Sequence, residues 1–147
     1  MINNNLDSSM MTAGSASRFI KPRWIINGCI TTEAFDLRDG NPPETYVSFF
    51  LVERGSADKQ LRSGYKILSE IIPECTKWSI SIIEIEEALS EINDEDTPFI
   101  CFKEKGIPHC GLIYLTNAQE KILEIKATLC VLAQKKVNST RQISNSV

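Results

Sequence analysis

Ile107-Pro108-His109-Cys110-Gly111-Leu112-Ile113-Tyr114-Leu115-Thr116-Asn117-Ala118-Gln119 is the stretch whose reading decides the fold. A Gly-Ile-Pro turn signal precedes an apolar, partly β-branched run, which predicts a strand over 107–115. Thr116 and Gln119 stand at the spacing of a capping box, in which a hydroxyl and an amide three residues apart satisfy the free N–H groups of a helix start. In the helix that follows, Ile122, Ile125, Leu129 and Leu132 recur on one face, while Glu120, Glu124 and Lys126 turn away. The stretch thus predicts a core strand feeding a core helix, with the single histidine of the chain, His109, at the strand's mouth.

Working outward from there, Thr45 to Val52 is rich in aromatic and β-branched residues and predicts a central strand. Ser56 caps a predicted helix to Ile72, with Leu61, Tyr65, Leu68 and Ile72 on one stripe and Pro73 as its stop. Gly64 weakens that helix by about 1 kcal/mol relative to alanine, or lets another backbone come close. Lys77 to Ile83 alternates as a strand, Glu84 to Ile92 reads as a short acidic helix, and Phe99 to Lys103 as a further strand. Towards the N-terminus, Phe19 to Ile26 and Cys29 to Thr32 are extended pieces joined by Asn27-Gly28, a pair that favours positive φ and predicts a short hairpin. Met1 to Ser17 and Asn138 to Val147 are Ser/Asn-rich and have little to bury, which predicts a disordered arm over 1–17 and a disordered tail over 138–147. The expected architecture is therefore a single α+β domain over 18–137, with a mixed sheet and about three helices on one face.

A chain of 147 residues, 42% hydrophobic and 24% charged, has the composition of one globular domain. No apolar run approaches the ~20 residues of a membrane span, and the N-terminal residues lack the form of a secretory signal, so a cytoplasmic protein is expected. Five cysteines, an odd number without paired spacing, read as reduced core residues. The net charge of −3 argues against a non-specific nucleic-acid binder.

Candidate chemistry is sparse. His109 and Cys110 are adjacent on a strand and so point to opposite faces, which prevents an easy thiol–imidazole pair. The expected reading is a strand-end histidine bonded to backbone and a thiol packed in the core. Cys101, His109 and Cys110 match no zinc spacing, and Asp94-Glu95-Asp96 lacks the glycine and distal glutamate of a calcium loop, so neither metal nor cofactor is expected. The sequence contains no Walker loop, no G-x-G-x-x-G and no G-x-S-x-G.

Two stretches offer contact surfaces instead. Arg18, Phe19, Lys21, Arg23 and Trp24 interleave cations with aromatics, the residue types that dominate interface hot spots. The segment Glu84 to Asp96 carries seven acidic groups and reads first as a solvated face; its functional reading is a docking strip of Glu87, Glu91, Asp94, Glu95 and Asp96 for a basic partner or for the chain's own basic arm.

Arg18, Asn27-Gly28-Cys29-Ile30-Thr31-Thr32-Glu33-Ala34-Phe35, Val47-Ser48 and His109-Cys110-Gly111-Leu112 ahead of a helix ending Leu132-Ala133 form a pattern. It resembles a group of small uncharacterised bacterial proteins, from which it departs with Cys110 where that group has alanine. The resemblance implies no catalytic role, and it implies that Arg18, Ser48 and His109 meet around one pocket. The expected function is that of a non-catalytic, bacterial-type interaction or accessory component, immunity-like or part of a defence system. Its partner is expected to be another protein or a second copy, rather than a membrane or nucleic acid. The alternative is a small enzyme or toxin-like nucleotide-binding domain whose pocket joins Arg18, Ser48 and His109, with arginine on a phosphate, serine as hydrogen-bonding group or nucleophile, and histidine as base.

Overall fold

The structure is a computed structural model that describes residues 9–145. Its strands are β1 (Met10–Met11), β2 (Ser15–Ile20), β3 (Ile25–Ile26), β4 (Cys29–Ile30), β5 (Val47–Val52), β6 (Ser79–Glu84), β7 (Ile100–Glu104), β8 (His109–Tyr114) and β9 (Val137–Ser139). Its helices are α1 (Ala57–Ile71), α2 (Ile85–Ile92), α3 (Gln119–Gln134) and α4 (Thr140–Asn145), and short 3-10 turns cover Pro22–Trp24 and Thr32–Phe35. Seven strands form one sheet in the order β1-β7-β8-β5-β2-β6-β9, and β3 and β4 form a separate hairpin. The chain is an α+β single domain.

The main predicted elements are present: β5 lies at the middle of the sheet, β8 feeds α3, and Asn27-Gly28 turns the small hairpin with both residues at positive φ. Ser56 caps α1 by accepting a hydrogen bond from the Lys59 N–H at 3.2 Å. The capping box at Thr116 does not form. The helix begins at Gln119 with Ala118 as N-cap, and the Thr116 hydroxyl accepts from the Ala118 N–H instead, so Gln119 stands inside the helix with no donor to reach back to.

Two finer expectations are corrected. Every pairing between the described strands is antiparallel, so the sheet is not mixed. The helices cover both faces. Ala16, Ile20, Phe49, Ile83, Phe102 and Leu112 pack with Ile125, Leu129 and Leu132 of α3 and with Ala88 and Ile92 of α2. Val52, Ile80 and Ile82, which point the other way, pack with Leu61 and Leu68 of α1 and with Ile143 of α4. β6 is consequently covered on both sides, and the Ser81 hydroxyl on its α3 side donates to the Ala133 carbonyl at 2.6 Å.

The larger correction concerns the ends of the chain. Residues 15–17, assigned by composition to a disordered arm, belong to β2, which lies between β5 and β6 near the centre of the sheet. Met10 and Met11 pair with Phe102 and Lys103 at the far edge. Residues 138–145, assigned to a disordered tail, complete β9 and form α4, with Thr140 and Ile143 buried. Residues 1–8 and 146–147 of those two expected segments lie outside the described residues.

The first half of β2 escapes sequence detection because its positions under α1, Ser15 and Ser17, carry serine where a strand under a helix ordinarily carries a large apolar residue. α1 crosses it at Gly64, where a Cβ atom would stand 2.9 Å from Ile80 Cγ2 and 3.3 Å from Ser17 Cβ. The close approach that glycine permits is thus used against side chains of β2 and β6. Beside it, Gln60 Nε2 donates to Ser15 Oγ at 2.8 Å, Ser15 Oγ donates to Glu84 at 2.7 Å, and Lys136 Nζ reaches both Gln60 and Glu84 at 3.1 Å. Burial would push the Glu84 carboxyl up, but the bonds from Ser15, Lys136 and Gln60 hold it below the ordinary carboxylate value.

Two outcomes follow. A chain trimmed to 18–137 loses half of a central strand together with α4, and it is expected to show neither the sheet signature in circular dichroism nor dispersed amide resonances. Leu129, fully buried, should cost about 2–5 kcal/mol when replaced by alanine, read from a urea midpoint, because the cavity it leaves lies between α3 and the sheet.

Candidate functional site

The candidate site lies where β2 and β5 part. Their pairing runs through Ser15↔Val52, Ala16↔Leu51 and Ser17↔Phe50, whereas β2 stays paired with β6 as far as Ile20↔Ser79. Two side chains take over where the ladder ends. The Ser17 hydroxyl donates to the Phe50 carbonyl at 2.8 Å, and Arg18 Nη1 donates to the Ser48 carbonyl at 3.0 Å. Arg18 Nε and Nη2 also donate to the Ala34 carbonyl, at 3.0 and 2.7 Å, which ties the 3-10 turn at Thr32–Phe35 to the split. Desolvation lowers the guanidinium pKa to about 10, partly offset by the field of Glu44, so Arg18 remains a cation at neutral pH.

Arg18, Ser48 and His109 do not meet around one pocket: Arg18 and Ser48 line the cavity at the split, whereas His109 bonds Ser48 on the other side of the sheet. Alternation along β5 sends Val47 and Phe49 towards α3 and the Ser48 side chain the other way, so Arg18 touches Ser48 through its backbone. The Ser48 hydroxyl faces His109, with Oγ 3.1 Å from Nε2. His109 therefore bonds a side chain, where the sequence suggested backbone alone. Phe19, Phe50 and His109 stack in a row at 4.9 Å between ring centroids, and Tyr46 leans on His109 at 5.6 Å. The Tyr46 ring lies against Gly111, where a Cβ would come within 2.6 Å of it, and Lys105 stands over its face at 4.7 Å. Phe50 and His109 are register partners on β5 and β8, so their stacking follows the strand spacing of the sheet.

Burial, and after it the charge of Lys105, lowers the His109 pKa, so the ring is neutral at pH 7. Cys110, on the opposite face, is fully buried, and burial pushes its thiol up to about 12. It is a protonated core residue rather than a nucleophile, in agreement with the strand alternation.

Trp24, expected at a protein interface, is instead 6% exposed and packs in the α3-side core, with its indole Nε1 buried and unpartnered among the described residues. Arg18 and Lys21 stand over its ring at 5.2 and 5.3 Å. Of the expected basic-aromatic contact surface, only Arg23 is fully at the surface, 3.9 Å from Glu33, while Phe19 is half-buried in the ring stack. The acidic strip keeps Glu91, Asp94, Glu95 and Asp96 exposed, but Glu87 is bonded to Lys135 at 2.8 Å. Asn93 shapes the loop that follows, accepting from the Phe99 and Ile100 N–H groups and donating to the Ile100 carbonyl.

A small cavity opens at the split, lined by Arg18, Phe19, Lys21, Trp24, Arg38, Glu44, Ser48 and Trp78. Sequence reasoning did not anticipate Arg38, Glu44 or Trp78, because they come from a polar loop and a strand start far from Arg18 in the chain. Arg38 is clamped by Glu44, whose carboxylate accepts from Arg38 Nε and Nη2 at 3.0 and 2.8 Å and from the Arg38 N–H at 2.6 Å. Among the described residues no three His, Cys, Asp or Glu side chains converge as metal ligands would, and no helix is long and apolar enough to cross a membrane. Comparison of the chain with protein-family models, curated proteins and solved structures finds no match.

The lowered His109 pKa gives a signed prediction. Between its folded value and the ordinary 6.5, the unfolded chain binds more protons, so stability is full above 6.5 and falls as pH drops through the folded value. Glu44 and Glu84 titrate below the ordinary 4.5 and contribute outside this window. Urea midpoints measured at about pH 7.5 and about pH 5.5 should differ in the wild type, and His109→Gln should remove most of that difference.

Proposed function

We propose that the chain is a non-catalytic interaction component that works by association through the outer face of α3, with a second copy of the chain as occupant. The observation that carries this reading is the double-sided apolar character of α3. Ile125, Leu129 and Leu132 fill the core, while Leu123 and Val131 on the opposite side are 60% and 65% exposed. With Ala127 between them they form one straight ridge at i, i+4, i+8. A helix apolar on both sides is ordinarily covered on both. The hairpin of β3 and β4 extends the same face, because Gln134 at the end of α3 binds the Gly28 carbonyl and the Ile30 N–H, and Ile26 at the hairpin tip is 59% exposed.

Self-complementarity singles out a second copy. A twofold axis at Ala127 sets Leu123 of one copy against Val131 of the other, with the small alanine at the crossing point where two ridges meet. It also sets the exposed Glu120 near the exposed Lys135 of the opposing copy, although Lys135 is bonded to Glu87 within its own chain. The antiparallel arrangement opposes the two helix dipoles favourably.

Catalysis is the weaker reading because the polar atoms of its candidates are engaged within the protein. Three donors of Arg18 serve carbonyls, and the Ser48 hydroxyl serves His109, whose ring is stacked between aromatics.

Sedimentation equilibrium up to about 100 μM, a range that detects even modest association, is expected to show a concentration-dependent dimer. Leu123→Asp and Val131→Asp should return it to monomer, with a melting temperature equal to that of the wild type at concentrations low enough for the wild type itself to be monomeric, since both side chains are outside the core. A wild-type chain that stays monomeric over this range would remove the reading.

A further inference from the structure

We infer that the cavity at the split between β2 and β5 is a binding site for a phosphate group, carried either as the free anion or on a small monoester. Three cations line it, Arg18, Lys21 and Arg38, against the single carboxylate of Glu44. Two positive charges remain in excess, which matches a dianion better than a carboxylate ligand. The donors are also in place. Arg18 spends three of its five N–H groups on the Ala34 and Ser48 carbonyls and keeps one on each terminal nitrogen. The Lys21 ammonium has no hydrogen-bond or carboxylate partner among the described residues and rests over the Trp24 ring with its three donors uncommitted. Arg38 is held by Glu44 through Nε and Nη2, leaving Nη1 unspent.

The site is built rather than accidental in its rigidity. Arg18 is anchored to two backbone carbonyls and stacked on a buried tryptophan, and Arg38 is fixed by a paired carboxylate. Donors fixed in advance lose little entropy on binding, and charge-assisted hydrogen bonds to phosphate are the strong ones. The cavity measures about 130 Å³, room for one compact group, with Phe19 and Trp78 forming an apolar wall for whatever the phosphate carries. Glu44 is the opposing element. It excludes weakly held monoanions and fixes Arg38 in the same contact.

Trp24 and Trp78 both line the cavity, so intrinsic fluorescence reports occupancy directly. The full-length chain is titrated with inorganic phosphate and, in a second arm, with phenyl phosphate, each against sodium chloride at matched ionic strength. A saturable fluorescence change with either phosphate and none with chloride is expected. Inorganic phosphate acting alone identifies the free anion as ligand, and tighter binding of the ester identifies the apolar wall as part of the site. Lys21→Gln and Arg38→Gln should each weaken binding by about tenfold, the scale of one charge-assisted hydrogen bond. Both residues lie at the rim, so folding is not at stake as it is for Arg18. Absence of a saturable change in both arms overturns the assignment, and so does binding that survives both Lys21→Gln and Arg38→Gln.

Discussion

The contact of Gly64 with Ser17 and Ile80 is the constraint on which the rest of the structure depends. A sheet of seven strands covered by helices on both faces needs a central strand that fits beneath α1, and β2 does so only because its residues under the helix are serines and the helix presents a glycine. A Cβ at position 64 would stand at a distance that real Cβ atoms do not tolerate. Serine beneath a helix would leave hydroxyls buried and unpaired, a cost of about 1–3 kcal/mol each. Here both are used: Ser15 bonds Gln60 and Glu84, and Ser17 bonds the Phe50 carbonyl. Polar small residues at the centre of the sheet are stable there because every hydroxyl has a partner.

The same strand creates the site. Beyond Ser17, β2 continues along β6 and leaves β5, so backbone groups that a full ladder would pair are exposed in the gap. The Ser48 carbonyl is one of them, and a guanidinium satisfies it. A buried arginine is costly unless its donors and its charge are both answered. Its donors find carbonyls, its face finds Trp24, and its charge is answered only in part by Glu44. A residual positive field in a small cavity is the direct consequence. The aromatic row of Phe19, Phe50 and His109 lies on the other face of the sheet, where the histidine ring packs against Phe50 and bonds Ser48.

Much of the fold was legible in the residues. β5, β8 and α3 are dense in apolar or β-branched positions at the right periods, and Ser56 and Asn27-Gly28 mark the start of α1 and the turn of the small hairpin by local chemistry alone. The site was partly legible: Arg18 and Ser48 were singled out and share the cavity, His109 lies on the other face of the sheet, and the cavity's other walls, Arg38, Glu44 and Trp78, gave no signal in one dimension. The ends of the chain misled, since Ser15-Ala16-Ser17 and Asn138-Ser139-Thr140 have the composition of disordered segments. Their order comes from what covers them.

The sequence by itself determined the class of the domain, the strong elements and the opposite facing of His109 and Cys110, because those depend on periodicity and on the alternation of neighbouring side chains. The tertiary structure alone decided which polar residues are core, that helices lie on both faces, that Trp24 is buried while Leu123 and Val131 are exposed, and that three cations share one gap. The physical reason is that burial of a small or polar residue is a property of its partner. Gly64 is what makes Ser17 a core residue, and that pairing spans 47 positions of chain that no local pattern can join.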